Sequence, residues 1–218
     1  MTQNSRFRAQ ESTLKSRNAA LPTERRRKLL HMVPGLLPFV FTSIPHEDPL
    51  SSLDKGIVIA ATLALTVFIY YSRPRIARAG ESHWAARVLS YPATVLATLL
   101  LFPAQPEFAA VVVVVLAFGD GSASLAGLWI GGPRLPWNSG KRWAGTLAFV
   151  VFAAPLAAIA YWREAHPAVS WVHAGICGAS AALVGTVAES WPAHLNDNLR
   201  VGVAAAVTVV LVDALQAP

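Results

Sequence analysis

One cysteine, Cys177, sits in an apolar stretch, so the 218-residue chain has no disulfide framework and its redox compartment is unconstrained. Charge is scarce too: 14% of residues are Asp, Glu, Lys or Arg, against 54% hydrophobic, and mean hydropathy is +0.46. So little charge argues against a large soluble domain and for an integral membrane protein. Acidic residues are the rarer sign, 12 against 18 basic, which leaves a net charge of +6. Nucleic acid is not the expected partner. Eight of the 18 basic residues lie in the first 28 positions, and no basic face interleaved with aromatics occurs elsewhere. A secretory signal is not expected either, because no short apolar run leads to a small-residue cleavage site near the N-terminus.

What is present is a succession of long apolar runs. Residues 1–24 are polar and basic, without apolar periodicity, and read as a disordered cytosolic tail; Glu11 and Glu24 argue against a transit peptide. Residues 25–218 then form one membrane domain. Spans are expected at about 29–45, 56–72, 88–103, 107–130, 144–162, 169–188 and 199–215, most of them close to the length a bilayer-crossing helix needs. The first and third contain proline (Pro34, Pro38; Pro92), which blurs their ends. The expected fold class is all-α: a polytopic helix bundle with about seven transmembrane helices. With the N-terminus placed inside, sixteen of the 18 basic residues fall in inside segments, leaving only Lys55 and Arg163 outside. That asymmetry sets a cytosolic N-terminus. The outside loops, PHEDPLSSLDK, PAQPE and REAHP, show no convergent chemistry at this level.

The fourth run carries the least ordinary feature. After Val111 to Val115 it continues as FGDGSASLAGLWIGG, residues 118–132, with Asp120 at membrane depth. An ionisable residue there is costly and marks a functional site by default. Gly119, Ala123, Gly127 and Gly131 recur every four residues, a spacing that lets helices pack closely. That packing does not account for Asp120, which has no lysine or arginine in its own span; a divalent cation accompanying phosphates would offset its charge. Glycines at 119 and 121 would also leave room for a phosphate chain.

Three inside segments add polar groups. In WNSGKRWAGT (137–146), Asn138, Ser139, Gly140, Lys141, Gly145 and Thr146 precede a helix, as in a phosphate cradle. The segment departs from a P-loop, with Leu135 at the first glycine position and Arg142 after the lysine. The plain alternative is a basic topology anchor. In RRRKLLH, Lys28 and His31 share a helix face at the membrane edge, though such a histidine can be a simple structural contact. In AESWPAHLNDN (188–198), one of Asn196, Asp197 and Asn198 can cap a helix. Together with Glu189 they exceed what a cap requires and offer oxygen ligands suited to Mg²⁺.

RRKLLH, FGDGSASLAGLWIG, LPWNSGKRWAGT and ESWPAHLNDN, in this order, resemble the polyprenol and phytol kinase family. That family takes in dolichol, farnesol and phytol kinases and CTP-dependent diacylglycerol kinases, with CDP-diacylglycerol synthases as distant relations. The resemblance covers roughly residues 25–215, and its last motif is nearest the phytol kinase branch. It implies Mg²⁺ as cofactor, with Asp120, Glu189 and Asp197 as metal residues, and Asp120, Lys141 and Asp197 as the catalytic set. It also implies nucleotide binding by Lys28, His31, Asn138, Ser139, Gly140, Lys141, Gly145, Thr146 and Asn198. Two departures stand out: Arg142 where the family usually has serine, and Asn196 where aspartate is common.

The implied activity is phosphoryl transfer from a nucleoside triphosphate, CTP above all, to the hydroxyl of a membrane-dissolved isoprenoid alcohol. The expected partners are that nucleotide, the lipid alcohol, the bilayer and, as an open option, a second copy of the chain. The expected location is a plasma membrane, the bacterial inner membrane, with the active site facing the cytoplasm. The alternatives are a CDP-diacylglycerol synthase-type cytidylyltransferase, a CTP-dependent diacylglycerol kinase and a small-solute transporter. The transporter would be favoured by inverted repeats, which the sequence does not display.

Overall fold

The structure, a computed structural model, describes residues 24–46, 48–72 and 84–216. The expected tail, residues 1–24, lies outside the described residues except for Glu24. A helix over 24–32 (α1) passes through a 3₁₀ turn, Val33–Leu36, into the short α2, Leu37–Phe41. There follow α3 (Ser52–Tyr71), α4 (Trp84–Leu101), α5 (Pro106–Val114) and α6 (Asp120–Trp129). A two-stranded hairpin, β1 (Arg134–Leu135) with β2 (Asn138–Arg142), leads to α7 (Trp143–Glu164), α8 (Trp171–Ser190) and α9 (Asp197–Gln216).

The all-α bundle expected from the sequence is what forms. Six helical stretches are long and apolar enough to cross a membrane: α3, α4, α5 continuous with α6, α7, α8 and α9. The stretch expected at 29–45 is not one long helix. Pro34 and Pro38 each stand near the start of a new helical piece, where the missing N–H costs nothing, and the chain changes helix type between them. It nevertheless runs the length of the bundle. Lys28 meets Asp120 at one end, while Arg163 donates to the Thr42 and Ser43 hydroxyls at the other.

Local signals explain the helix starts. Ser51 accepts from the Asp54 N–H and Ser170 from the His173 N–H, each satisfying one orphan donor of a first turn. Pro106 occupies the first turn of α5.

The polarity of the packing is that of a membrane protein. Leu147, Val151 and Phe152 on α7, Val172, Leu183 and Val187 on α8, and Val203, Val207 and Leu211 on α9 all face outward. Small residues face inward: Ala153, Ala157 and Ala160 meet Ala174, Cys177 and Ala181, all fully buried. Without a hydrophobic drive between helices in lipid, such small faces let backbones approach and gain dispersion energy. The α5–α6 stretch is the central element, with Val111, Val112, Val114, Val115 and Leu116 fully buried.

That central stretch is not a regular helix. Val115–Gly119 forms a π-helical turn immediately before Asp120. A wide turn of this kind adds a residue to the helical repeat and rotates everything beyond it by about 100°. Gly119 accommodates it by lying against the Phe149 ring, and Ser122 ties the stretch to α7 through the Ala148 carbonyl, 3.1 Å away. The space beside Gly119 and Gly121 is therefore filled, by Phe149 and Met32, and does not serve as the room for phosphate that the sequence suggested. Past α6, Gly131 (φ 71°) and Gly132 (φ 83°) take the left-handed backbone that turns the chain into the hairpin.

Candidate active site

The four motifs converge on one cavity of about 960 Å³ at the end of the bundle where α1 begins. Its polar part is lined by Lys28 and His31 from α1, Asp120 from α6, Lys141 from β2, Glu189 from the end of α8, and Asn196–Asn198 at the start of α9. It continues into an apolar part between the α1–α2 segment, α3 and α4, lined by Val33, Leu37, Leu65, Phe68, Ile69 and Val95. Polar groups that lie scattered along the chain thus share a single chamber with a greasy extension.

The π turn places Asp120 on the cavity side. Its Oδ2 accepts from Lys28 Nζ at 2.7 Å and lies 3.3 Å from His31 Nε2. With no lysine or arginine in its own span, Asp120 takes its cation from α1. Lys28 and Asp120 are both 14% exposed, so the pair forms in a partly desolvated setting where charge interactions are stronger than in water. The His31 ring packs edge-on against Tyr91, whose hydroxyl donates to the Val113 carbonyl at 3.0 Å, just before the π turn.

A second ion-pair group lies across the cavity. Lys141 donates to Glu189 and stands 3.4 Å from Asp197, and Arg200 donates to Asp197 at 2.5 Å. Burial pulls the Lys141 pKa down, but the Glu189 and Asp197 carboxylates outweigh it and hold the ammonium above its usual range. Lys141 therefore stays charged at any physiological pH.

The remaining expected residues divide. Gly140, Gly145, Thr146 and Asn198 line the cavity; Asn138 and Ser139 do not. Asn138 is a staple: its amide donates to the Ser190 carbonyl at 2.9 Å and its oxygen accepts from the Gly140 N–H at 3.0 Å. That link fastens the hairpin to the end of α8 and so holds Lys141 beside Glu189. Gly145 lets α7 approach α6, since a Cβ there would stand 2.7 Å from the Ala123 carbonyl oxygen. Asn196 is the cap that one residue of its run was expected to be, its Oδ1 accepting from the Asn198 N–H at 2.9 Å. Asn198 reaches the Arg87 carbonyl at 3.1 Å.

Asp120, Glu189 and Asp197 line the same cavity but do not gather as a three-ligand cluster among the described residues, and each has a cationic partner. Hard carboxylate oxygens nonetheless fit Mg²⁺, which usually takes one or two carboxylates and completes its shell with phosphate oxygens and water. Tyr91 and Arg200 lie outside the four motifs that the sequence singles out. The Asp197–Arg200 pair carries an i, i+3 signal that could have been read; Tyr91 lies in an unremarkable apolar run.

No protein-family model matches the chain, and no solved structure matches it. Over 192 residues it is 29% identical to "Probable phytol kinase 2, chloroplastic" from Oryza sativa subsp. japonica. The aligned region takes in 80% of this chain and 62% of that relative, so the chain spans under two thirds of its length.

Proposed function

We propose that the chain is a lipid kinase of the phytol and polyprenol kinase kind. It transfers the terminal phosphoryl group of a nucleoside triphosphate, CTP first, to the hydroxyl of a membrane-dissolved isoprenoid alcohol such as phytol, farnesol or geranylgeraniol. The observation that carries this reading is the continuity of the cavity, charged at one end and apolar at the other. A nucleotide and a prenyl tail need those two environments side by side. The likeness to a probable phytol kinase supports the same acceptor class.

Phosphoryl transfer asks little covalent chemistry of the protein; positioning and charge neutralisation supply most of the rate. Lys28 and Lys141 flank the polar chamber and offer point charges to phosphate oxygens. On entry, the phosphates compete with Asp120 and Glu189 for these ammonium groups and free carboxylate oxygens. Asp120, with Glu189 or Asp197, would then hold Mg²⁺, which when bound shields the charge on the phosphates. The apolar walls on α3 and α4 hold the alcohol's tail and exclude water from the reacting end, which limits loss of the phosphoryl group to hydrolysis.

The test supplies membranes containing the protein with γ-labelled CTP or ATP and a panel of phytol, farnesol, geranylgeraniol, undecaprenol and diacylglycerol. Label is expected on a prenol. With phosphatidic acid added as a phosphomonoester acceptor, label released as pyrophosphate together with a CDP-linked lipid would establish a cytidylyltransferase instead, and label on diacylglycerol alone would move the acceptor class.

We place the polar chamber on the cytoplasmic side of a bacterial inner membrane, supported by the basic residues Lys28, Arg87, Lys141 and Arg142 that line it. Reporters inserted in 131–143 and 190–198 should read the cytoplasmic side, and one fused after Pro218 the outer side. If the two loops read opposite sides, the chamber cannot exist as described and the kinase reading fails with it.

A further inference from the structure

The loops at the opposite end carry no chemistry readable in the sequence, yet the fold brings their histidines and carboxylates together. One ligand atom from each of His46, Asp48 and His166 lies within 4.8 Å of the other two. Glu164 joins them, its Oε1 3.5 Å from His46 Nε2, and His166 Nδ1 stands 3.6 Å from Asp48 Oδ2. These separations are too long for hydrogen bonds. They match the ligand–ligand edge of a tetrahedral zinc site, about 3.3–3.6 Å when the metal–ligand bonds are about 2.0–2.2 Å.

The second observation is what these groups lack. The side chains of His46, Asp48 and Glu164 are 8%, 7% and 9% exposed. His46 Nε2, both Asp48 carboxylate oxygens and Glu164 Oε2 are buried with no hydrogen-bond partner, and buried Glu107 nearby leaves its Oε2 unpartnered as well. Buried polar groups are nearly always satisfied, so a cluster of orphans points to a missing partner. Among the described residues no lysine or arginine pairs with any of these carboxylates; Arg163, the neighbouring cation, donates to Thr42 and Ser43. His46 is already set for coordination. Its Nδ1 contacts the Ile44 carbonyl at 2.9 Å, which requires the proton on Nδ1 and leaves the lone pair on Nε2, facing the cluster.

We propose that His46, Asp48, Glu164 and His166 bind a borderline divalent cation, Zn²⁺ in the first instance, which clips His46 and Asp48 to the α7–α8 turn. The two imidazoles select against Mg²⁺ and Ca²⁺, which take oxygen ligands. His166 Nδ1 now lies 2.7 Å from the Glu164 carbonyl. Coordination through that nitrogen moves the ring proton to Nε2, on a side chain left half exposed to water. The ion is structural: it fixes the far end of the segment that begins with Lys28 and His31.

The test uses untagged full-length protein in detergent, stripped with a chelator, dialysed and given Zn²⁺ alone. One zinc per chain should survive desalting and raise the melting temperature, and Co²⁺ in its place should show the intense visible bands of tetrahedral coordination. Zinc should also shield His166 from acylation by diethyl pyrocarbonate in the wild-type protein, a reading independent of any variant. His46→Gln combined with Asp48→Asn should weaken zinc binding by about a hundredfold or more, while Lys141→Met keeps it. Wild-type protein that retains no zinc and shows no shielding would overturn the proposal, as would equal retention by the double variant or an equal response to Mg²⁺.

Discussion

Replacing Asp120 by asparagine is expected to lower phosphoryl-transfer turnover by on the order of a hundredfold or more, the scale on which a principal electrostatic stabiliser acts. Asparagine keeps the shape and removes the charge that pairs with Lys28 and that, in the proposed reaction, would hold a cation on the phosphates. The cost should extend to stability. Lys28 is 14% exposed and its ammonium would lose its carboxylate partner, leaving a partly desolvated charge. Full removal of a partner from a buried pair costs about 3–5 kcal/mol; with both groups reachable from the cavity, about 1–2 kcal/mol is expected here. Melting curves with and without Mg²⁺ and CTP read both effects. Wild-type protein should gain stability from the ligands by mass action, and the variant should melt lower and gain little. Full activity with full ligand stabilisation in Asp120→Asn would make the Lys28–Asp120 pair a structural brace and misplace the site.

The second large effect is expected at Lys141. Methionine in its place keeps the length of the stem and removes the charge, and turnover should again fall by about a hundredfold or more. Arginine should restore only part of it, because a planar guanidinium does not reproduce a compact ammonium. The fold responds as well: the Glu189 side chain is 3% exposed, so Lys141→Met strands a buried carboxylate. A double variant separates the two consequences. Adding Glu189→Gln to Lys141→Met should return most of the lost melting temperature and none of the lost turnover. Should turnover recover together with stability, Lys141 acts only by holding Glu189, and the phosphate-binding role is wrong.

How far the chain could be read depended on the range of the interaction. Hydropathy located the spans because lipid exposure is a property of each segment by itself. It missed the break within 24–41 only in kind: Pro34 and Pro38 were visible, but not that the chain would change helix type between them and still run from Lys28 to Thr42. Asp120 was legible as an anomaly, and its partner was not, since Lys28 stands 92 positions away and only the π turn decides which way the carboxylate points. Asn138 had the right composition for a phosphate loop and turned out to be a staple, because hairpin geometry aims its amide at Ser190. The zinc-like cluster left no motif at all, as His46 and His166 meet only when two loops fold together.

The apolar half of the cavity is bounded by α3, on which only Thr66 is buried while Ile57, Leu63 and Val67 look outward. Among the described residues, this thinly attached helix forms an outer wall of the chamber. An acceptor arriving through that wall never passes through water. Its effective concentration is then its mole fraction among the lipids, not its molarity in the sample. Saturation would follow surface dilution: adding inert lipid at constant total prenol would slow the reaction, and adding buffer would not.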